Sequence, residues 1–458
     1  MVNFSNLKSA IPTDRWNFIY IIFLINGIGS LLPWNMLINA DNYFVNYKLN
    51  ITNPTSMQDN YRQHFLSYLG LFSKGPNILL QILNVFINAE NANLTRRINI
   101  TLVIQIVVFL IIIAMAAIDS SGWPDLFFWL TMMSAAFINL ANGVFQSCLY
   151  GIAGRFPMKY TNSVTIGMNL SGTLASLLML ISIAVSPSYQ VEAIVFFSFA
   201  IALLIVCLLA GFYVSTNKFH QYYSNKNLIR TPSISSINME LSNGHHKGRS
   251  SSLLHNAIIS TVTYDGKPLN STCKDFQSSA KAKYVYVLKR IWVQLINVML
   301  IYMVSLSIFP ALSARILSED GILDENYFAP VFCFLFFNLF ATVGNTIAQH
   351  VQWPGPKYLI IFTIGRLMFI PFFLYCNYHP GDARTLPIIF HRDWMYICGM
   401  IAMATSSGYL SSLSLMYIPK CVHPDVSATA AMFAVLTVML GILVGINLSI
   451  FYPTIVTS

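Results

Sequence analysis

The chain has 458 residues, of which 55% are hydrophobic and only 9% are charged, and its formal net charge is +9. Soluble domains carry roughly 25% charged residues. This composition excludes a cytosolic enzyme, a disordered protein and a secreted disulfide scaffold, and it predicts a membrane protein with several spans. The seven cysteines include no CxxC pair, so neither a disulfide framework nor a zinc site is supported.

Apolar stretches of spanning length occur from one end of the chain to the other. A helix needs roughly 20 apolar residues to cross the hydrocarbon layer. Eleven stretches of about this length or longer carry one charge or none: 16–40, 65–89, 98–118, 126–154, 160–191, 193–217, 291–314, 326–356, 358–378, 394–419 and 426–458. Helices satisfy their own backbone hydrogen bonds in lipid. We therefore predict an all-α membrane protein with eleven transmembrane helices.

The placement of Lys and Arg predicts the orientation of these helices. With the N-terminus inside, 19 of the 26 Lys and Arg residues lie on the cytoplasmic side and five lie outside. An odd number of spans then places the C-terminus outside. In this topology the sequon at Asn50 lies in an outer loop, and we expect a glycan there. The expected location is the plasma membrane.

A long hydrophilic segment divides the chain. Residues 218–290 are rich in Ser, Asn and Lys and contain too few apolar residues to fold alone. We therefore expect an N-terminal six-helix bundle at 1–217, a cytoplasmic flexible loop at 218–290 and a C-terminal five-helix bundle at 291–458. Transporters built from two half-bundles divide in this way.

The acidic residues are informative by their positions. None of the 17 Asp and Glu residues lies near the middle of a predicted span. Ionisable residues inside the membrane mark ion pathways, so their absence disfavours proton or sodium coupling. An HExxH metalloprotease motif is also absent. The sequence favours passive movement of a polar, mostly uncharged solute, with no catalytic residue, metal or cofactor.

Polar side chains within spans are the candidates for lining a path. They are Asn35, Asn39, Asn77, Asn139, Asn142, Gln146, Asn162, Asn169, Asn338, Asn345, Ser406 and Ser407. For each one, the competing interpretation is an interhelical hydrogen bond, worth roughly 0.6 to 2 kcal/mol. The set exceeds what packing needs, so some members should line a cavity. Pro33, Gly75-Pro76 and Pro310 predict bent or broken helices.

Seven short motifs follow one another along the spans. They are Leu31-Leu32-Pro33-Trp34-Asn35, Phe145-Gln146-Ser147-Cys148-Leu149-Tyr150-Gly151, Ile308-Phe309-Pro310-Ala311, Phe337-Asn338-Leu339-Phe340, Trp353-Pro354-Gly355, Gly365-Arg366-Leu367 and Ser407-Gly408-Tyr409-Leu410-Ser411-Ser412-Leu413. The order of these motifs, the eleven predicted spans and the large loop after the sixth span resemble the equilibrative nucleoside transporter family. The resemblance covers essentially the whole chain apart from the loop.

The resemblance implies a major-facilitator-like 6+5 arrangement that works by alternating access. It also implies facilitated, bidirectional movement of nucleosides down their gradient across the lipid bilayer, with nucleobases as a further possible solute. No nucleic acid and no obligate protein partner are expected.

The resemblance also implies roles for single residues. Trp34 would bound the cavity and stack on the solute with Leu31 beside it, Asn35 would brace the first span, and Gln146 would hydrogen-bond the base. Phe309 would belong to a gate. The expected substrate-binding residues are Leu31, Trp34, Asn35, Ile38, Lys74, Asn77, Gln146, Phe309, Asn338 and Asn345. The expected structural residues are Pro33, Arg366 and Gly408, with Arg366 tying the ninth span to a neighbour.

Four positions depart from the family pattern. Ala341 and Asn345 stand where family members carry an Asp and an Arg, and their spacing of four puts both on one helical face. Lys74 stands where an apolar residue is common, and Ile38 where some members have Met. These departures leave the preferred solute and inhibitor sensitivity open.

Lys74 has two interpretations at this point. Its ammonium either faces a water-filled cavity, where it would meet solute oxygens, or packs against helix carbonyls freed near Pro76. The function likewise keeps two alternatives to a nucleoside transporter: a transporter of another small polar solute on the same fold, and a receptor-like member that does not transport.

Overall fold

A computed structural model of the chain describes nine stretches of it. They are residues 12–40, 43–50, 56–86, 93–185, 188–224, 263–264, 267–268, 280–379 and 384–457. Almost all of these residues are helical. Most of the expected loop lies outside the described residues, and so do Ile51 and Thr52 of the sequon that begins at Asn50.

Six long helices form the N-terminal half. They are α1 (Phe18–Asn39), α2 (Phe65–Phe86), α3 (Leu94–Ala117), α4 (Pro124–Ala153), α5 (Met158–Val185) and α6 (Tyr189–Thr216). Shorter segments flank them: a 3-10 turn at Arg15–Asn17, a π-helical turn at Tyr43–Lys48, and helices at Ser56–Gln63 and Lys218–Ser224. Thr263–Tyr264 and Lys267–Pro268 form a small antiparallel pair of strands.

Five helices form the C-terminal half. They are α7 (Ala280–Ile308), α8 (Phe336–His350), α9 (Leu359–Leu374), α10 (Asp393–Tyr417) and α11 (Ser427–Ser449). A π-helical turn at Ala329–Leu335 leads into α8, and a 3-10 turn at Arg366–Met368 interrupts α9. The remaining short helices are Ser313–Arg315, Glu325–Phe328, Ile418–Lys420, Pro424–Val426 and Tyr452–Thr457.

The helical membrane architecture predicted from composition is confirmed. Within the described residues, eight helices are long and apolar enough to span a membrane, and Leu359–Leu374 is a shorter apolar helix. The two other long helices, α2 and α10, are 22 and 25 residues long. Both are richer in polar residues, because α2 carries a lysine and several amides and α10 carries several serines. The exact number of eleven spans stays a prediction.

Local sequence signals account for several helix starts. The Asn93 side chain accepts a hydrogen bond from the Arg96 N–H at the start of α3, and Ser188 accepts one from Val191 at the start of α6. Both satisfy backbone donors that have no partner inside the helix. Pro124 occupies the first turn of α4, where its missing N–H costs nothing.

Helix α7 begins earlier than apolar residues alone predict. It starts at Ala280, so residues 280–290 of the expected loop are helical. Lys and Arg are good helix formers and are tolerated at a water-facing helix end. The prolines lie in two settings: helices α1 and α2 continue through Pro33 and Pro76, and α7 ends before Pro310, as expected for a helix broken at that proline.

Two pairs of glycines allow helices to cross closely. In the N-terminal half, a Cβ on Gly27 of α1 would meet the Val164 carbonyl, and a Cβ on Gly167 of α5 would meet Leu24. In the C-terminal half, Gly344 of α8 and Gly408 of α10 face each other's helix in the same way. Helix α1 therefore packs along α5, and α8 along α10.

The segment directly after α6 packs onto the N-terminal half. In the helix Lys218–Ser224, Phe219 and His220 are buried. The rings of both residues lie within 6 Å of the Phe156 ring in the α4–α5 turn. Burial, together with the nearby Arg155, lowers the pKa of His220 to about 4, so the imidazole is neutral at pH 7.

Candidate functional site

Lys74 and Trp34 meet in the N-terminal half. The Lys74 ammonium lies 4.4 Å from the centre of the Trp34 ring, which places it over the indole of α1. Both side chains are partly exposed. Among the described residues we find no hydrogen bond or ion pair to this ammonium. The lysine of α2 is therefore held by an aromatic face and not by a helix carbonyl.

The same helix presents further partly exposed side chains. Leu31 and Ile38 lie about one turn before and after Trp34, so the three share one face of α1. Trp34 and Ile38 also pack against the largest hydrophobic core among the described residues, to which helices of both halves contribute. This face offers a flat aromatic surface bordered by aliphatic groups and one cation.

Helix α1 is fixed to α5 by two amides. Asn35 donates to the Ser171 hydroxyl at 3.0 Å, and Asn39 donates to the Ala175 carbonyl at 3.1 Å. These hydrogen bonds orient the face that carries Trp34. The Asn35 amide is thus engaged with the protein.

A seam of buried amides runs between α2 and α4. Asn77 donates to the Asn139 carbonyl at 3.1 Å, and its own oxygen accepts from Gln81 at 3.0 Å. Gln146 donates to the Ser30 carbonyl at 3.2 Å, and its oxygen lies 3.4 Å from the Gln81 nitrogen. Asn77 and Gln146 are 3% and 1% exposed. Because Gln146 is buried, a hydrogen bond from its amide to a solute requires a movement that exposes it.

The seam continues away from Lys74. Asn84 donates to the Ser147 hydroxyl at 2.9 Å and accepts from the Arg97 guanidinium at 2.9 Å. Some seam atoms have no partner among the described residues, including the oxygens of Asn142 and Gln81. The seam is a polar strip inside the N-terminal half, and it begins beside the Lys74–Trp34 pair.

In the C-terminal half, the corresponding region is aromatic. The Phe309 ring stacks on Phe337 with centroids 4.1 Å apart, and Phe334 meets Phe309 edge-on at 5.5 Å. Asn338 donates to the Phe334 carbonyl at 2.9 Å. Its amide also lies against Gly172 of α5, where a Cβ would collide with it. Asn338 and Phe309 are partly exposed.

The two family departures on α8 lie in packed surroundings. Asn345 is 0% exposed. It donates to the Thr165 carbonyl at 3.4 Å and accepts from the Ser412 hydroxyl at 2.9 Å. Ala341 is also buried, and its carbonyl meets Gly408 of α10. In this conformation Asn345 joins helices of the two halves.

Arg366 is a second cation within the helices, and protein groups engage it. Its guanidinium donates to the Met403 carbonyl at 3.2 Å, the Ser406 hydroxyl at 2.8 Å and the Ser305 hydroxyl at 2.8 Å. Ser305 in turn lies 2.8 Å from Ser407. These contacts tie α9 to α10 and α7. A structural role for Arg366 stays a prediction, and its partners are those that such a role needs.

Several hydrogen bonds join the two halves at one end of the bundle. We call this the tether end, because α6 ends and α7 begins there. Tyr20 of α1 donates to Gln349 of α8 at 2.8 Å. Lys420 donates to the Phe156 carbonyl at 3.1 Å. Gly154 of α4 packs against Ala431 of α11. The conformation is therefore closed at the tether end.

At the opposite end of the bundle, the polar contacts described next lie within one half and not between the two halves. Tyr47 donates to Gln190 at 3.2 Å within the N-terminal half. Arg392 pairs with Asp320 at 2.7 Å within the C-terminal half. Arg392 also lowers the pKa of the Asp320 carboxyl. These contacts stabilise each half separately and do not connect the two.

Sequence reasoning identified Lys74 and Trp34 but missed two seam residues. Gln81 links Asn77 to Gln146, and Ser73 is a buried hydroxyl that has no partner among the described residues. Gln81 could have been found, since positions 74, 77, 81 and 84 repeat at helical spacing on one face. Within the described residues, no group of His, Cys, Asp and Glu could hold a metal ion.

The architecture defines a class of protein. It is similar to the major facilitator superfamily proton:xylose symporter XylE bound to 6-bromo-6-deoxy-D-glucose, with a TM-score of 0.58 and 10% identity. The match covers 96% of this chain and 88% of that one. The chain thus has the major facilitator fold, as the resemblance implied.

Sequence comparison gives the family. The family model described as nucleoside transporter matches residues 132–454. Equilibrative nucleoside transporter 2 of Homo sapiens is 30% identical over 97% of this chain and 98% of its own length. Equilibrative nucleoside transporter 1 of Homo sapiens is 28% identical over 97% and 99%. The chain belongs to the nucleoside transporter family, a family of transporters and not of enzymes.

Proposed function

We propose that this protein carries nucleosides across a membrane by facilitated, bidirectional and ion-independent transport. The observation that carries this proposal is the partly exposed face of α1, where Trp34 presents its indole and Lys74 lies over it. Membership of the nucleoside transporter family supports the same function.

The chemistry of this face suits a nucleoside. A nucleobase is a flat ring with donors and acceptors at its edge, so it stacks on an aromatic side chain and hydrogen-bonds in its own plane. Stacking of a base on an aromatic side chain is worth roughly 1 to 3 kcal/mol. Trp34 supplies the ring, Leu31 and Ile38 border it, and Lys74 supplies donors. Phe309 and Asn338 are proposed to contact the solute from the C-terminal half.

Four amides expected to contact the solute are bonded to protein groups in this conformation. They are Asn35, Asn77, Gln146 and Asn345. A solute can reach the buried amides of Asn77, Gln146 and Asn345 only if the helices around them move during the transport cycle. In the closed-tether conformation they hold the helices that carry Trp34 and Lys74.

The charge distribution supports transport without ion coupling. In the eleven long helices, the carboxylates lie in first turns: Asp125 in α4, Glu192 in α6 and Asp393 in α10. Coupling to protons or sodium usually uses a carboxylate deep in the membrane. The two deep charges are instead the cations Lys74 and Arg366.

Alternating access accounts for the distribution of contacts between the halves. The hydrogen bonds of Tyr20 and Lys420 close the tether end. With the proposed cytoplasmic N-terminus, this end faces the cytoplasm, and the state is closed toward the inside. We further propose a plasma-membrane location, an extracellular C-terminus and a glycan on Asn50, which is exposed.

Uptake measurements test the proposed function. Radiolabelled uridine and adenosine are given to nucleoside-uptake-deficient cells that express the wild type, Trp34→Ala or Trp292→Ala. Trp292 is a matched control, because its ring is 57% exposed on α7. We expect saturable uptake by the wild type and by Trp292→Ala. With surface amounts equalised, Trp34→Ala should lose about tenfold in uptake at low solute concentration. Absence of uptake by surface-expressed wild type would contradict the function.

A further inference from the structure

The position of the Lys74 ammonium has a consequence for solute choice. At 4.4 Å from the ring centre it covers one face of the Trp34 indole. The attraction between a cation and an aromatic ring is weak compared with a charge-assisted hydrogen bond. This attraction is weak enough for a solute to displace the ammonium. A base that stacks on the covered face must therefore move the ammonium aside.

The displaced ammonium needs a new hydrogen-bond acceptor, and the Asn77 oxygen on the same helix already has a donor. Asn77, one turn further along α2, accepts from Gln81 and donates to Asn139. The carboxylates of the long helices lie in their first turns. An ammonium has three donors and no acceptor. A solute that carries an acceptor at the edge of its ring can therefore receive the displaced ammonium.

The other deep cation does not offer this possibility. Arg366 already donates to Met403, Ser406 and Ser305, and it is 2% exposed. Its guanidinium is held within the C-terminal half. Lys74 is partly exposed, and no hydrogen bond to its ammonium is found among the described residues. Between these two cations, a solute can engage Lys74.

We propose that Lys74 determines specificity by favouring nucleosides whose base carries a carbonyl oxygen. This inference rests on the proposed function. The ammonium makes a charge-assisted hydrogen bond to a base carbonyl, whereas an exocyclic amino group presents N–H donors toward the cation. Inosine and adenosine isolate this difference. They share the ribose and the purine shape. They differ at C6, which bears oxygen in inosine and an amino group in adenosine, and at the neighbouring N1, which carries hydrogen in inosine.

Matched variants test the proposal through the ratio of Vmax/KM for inosine to that for adenosine. Lys74→Met removes the charge, Lys74→Arg keeps it, and Lys48→Met is the control. Lys48 also lies near aromatic rings, 5.5 Å from Tyr47, but its ammonium donates to the Ile118 carbonyl.

We expect the wild type, Lys74→Arg and Lys48→Met to prefer inosine. In Lys74→Met the preference should fall about tenfold, the size expected for one charge-assisted hydrogen bond. An unchanged ratio in a surface-expressed Lys74→Met protein would overturn the proposal. Equal loss for both nucleosides would also overturn it, because it would place the contact at the ribose. Wild type that transports neither nucleoside would contradict the proposed function instead.

A competition series with the wild type alone covers the case in which Lys74→Met does not reach the surface. Inosine, purine riboside and adenosine are compared as inhibitors of uridine uptake. Purine riboside carries hydrogen at C6, so at that position it neither accepts from Lys74 nor opposes it. We expect inhibition to decrease in the order inosine, purine riboside, adenosine. Adenosine inhibition equal to or stronger than that of inosine would contradict the role of Lys74.

Discussion

Lys74 and Arg366 are both cations deep within helices, and their surroundings differ. Arg366 in the C-terminal half donates to two serine hydroxyls and one carbonyl. Lys74 in the N-terminal half lies over Trp34, without a hydrogen bond among the described residues. A charged residue deep within a helix is therefore not, by its position alone, a residue that contacts the solute. To contact the solute, such a residue must also have hydrogen-bond donors that no protein group already uses.

The largest expected effect is on the stability of the protein when Arg366 or Lys74 is replaced by Met. Arg366→Met leaves buried hydroxyl and carbonyl groups without their charged donor, so we expect the free energy of unfolding to fall by at least about 3 kcal/mol. Lys74→Met removes an ammonium that makes no such bond and places an apolar side chain in its position. We expect its stability to be equal to that of the wild type or higher.

Thermal melting of the two purified variants in the same detergent checks this contrast. Arg366→Lys is the charge-preserving control, and it should recover only part of the loss, because an ammonium lacks the planar fork of the guanidinium. Similar melting temperatures for Arg366→Met and Lys74→Met would contradict the view that only Arg366 makes stabilising hydrogen bonds to the protein.

The amide seam gives the next largest effect. Gln146→Ala removes a side chain that donates to the Ser30 carbonyl and accepts from Gln81, so each of these groups loses one buried hydrogen bond. A buried group that loses its partner costs about 1 to 3 kcal/mol. Gln105→Ala is the matched control, because Gln105 is equally buried but its amide has no partner among the described residues. We expect a clearly lower melting temperature for Gln146→Ala than for Gln105→Ala.

The same two variants separate a packing role of Gln146 from a recognition role. A packing role lowers stability and surface amount while the apparent KM for uridine changes little. If Gln146→Ala melts like Gln105→Ala but shows a KM raised about tenfold, Gln146 contacts the base directly and the seam is not its main function.

The smallest expected effect concerns closure at the tether end. Tyr20→Phe removes the hydroxyl that donates to Gln349 across the two halves. One hydrogen bond is worth about 1 kcal/mol, which shifts a two-state equilibrium about fivefold. A cysteine introduced at the buried position Thr165, beside Asn345, reports opening by its rate of thiol labelling.

We expect Tyr20→Phe to label about fivefold faster than the parent protein. Tyr47→Phe is the control, because its hydroxyl bonds to Gln190 within one half at the opposite end. Equal rates for all three proteins would mean that the Tyr20 bond does not hold the tether end closed.

Much of the fold could be predicted from the sequence. A helix that crosses lipid must be long and apolar, and such a stretch is recognised directly from its residue types. The start of α7 at Ala280 was not predicted, since counting apolar residues stops at Lys289 and Arg290 while the helix continues into water. Pro310 did mark a helix end, because α7 stops at Ile308, whereas α1 remains helical through Pro33.

The site was predictable only in part. Family motifs placed Trp34 in a cavity, and an unusual residue type singled out Lys74. Their contact joins two helices, so it depends on helix rotation, which the sequence does not encode locally. The engagement of Asn77 and Gln146 could not be foreseen for the same reason. The sequence shows that an amide lies in a span, but it does not show whether that amide faces a solute or a neighbouring carbonyl.

Equilibrium accumulation in proteoliposomes tests the central claim most directly. An available lysine next to the solute site could serve solute binding or proton exchange, and only the first agrees with facilitated transport. Purified protein is reconstituted and given labelled uridine under an imposed pH gradient, a sodium gradient or neither. We predict that the internal and external uridine concentrations become equal in all three conditions. Accumulation above the external concentration that follows either gradient would contradict the account.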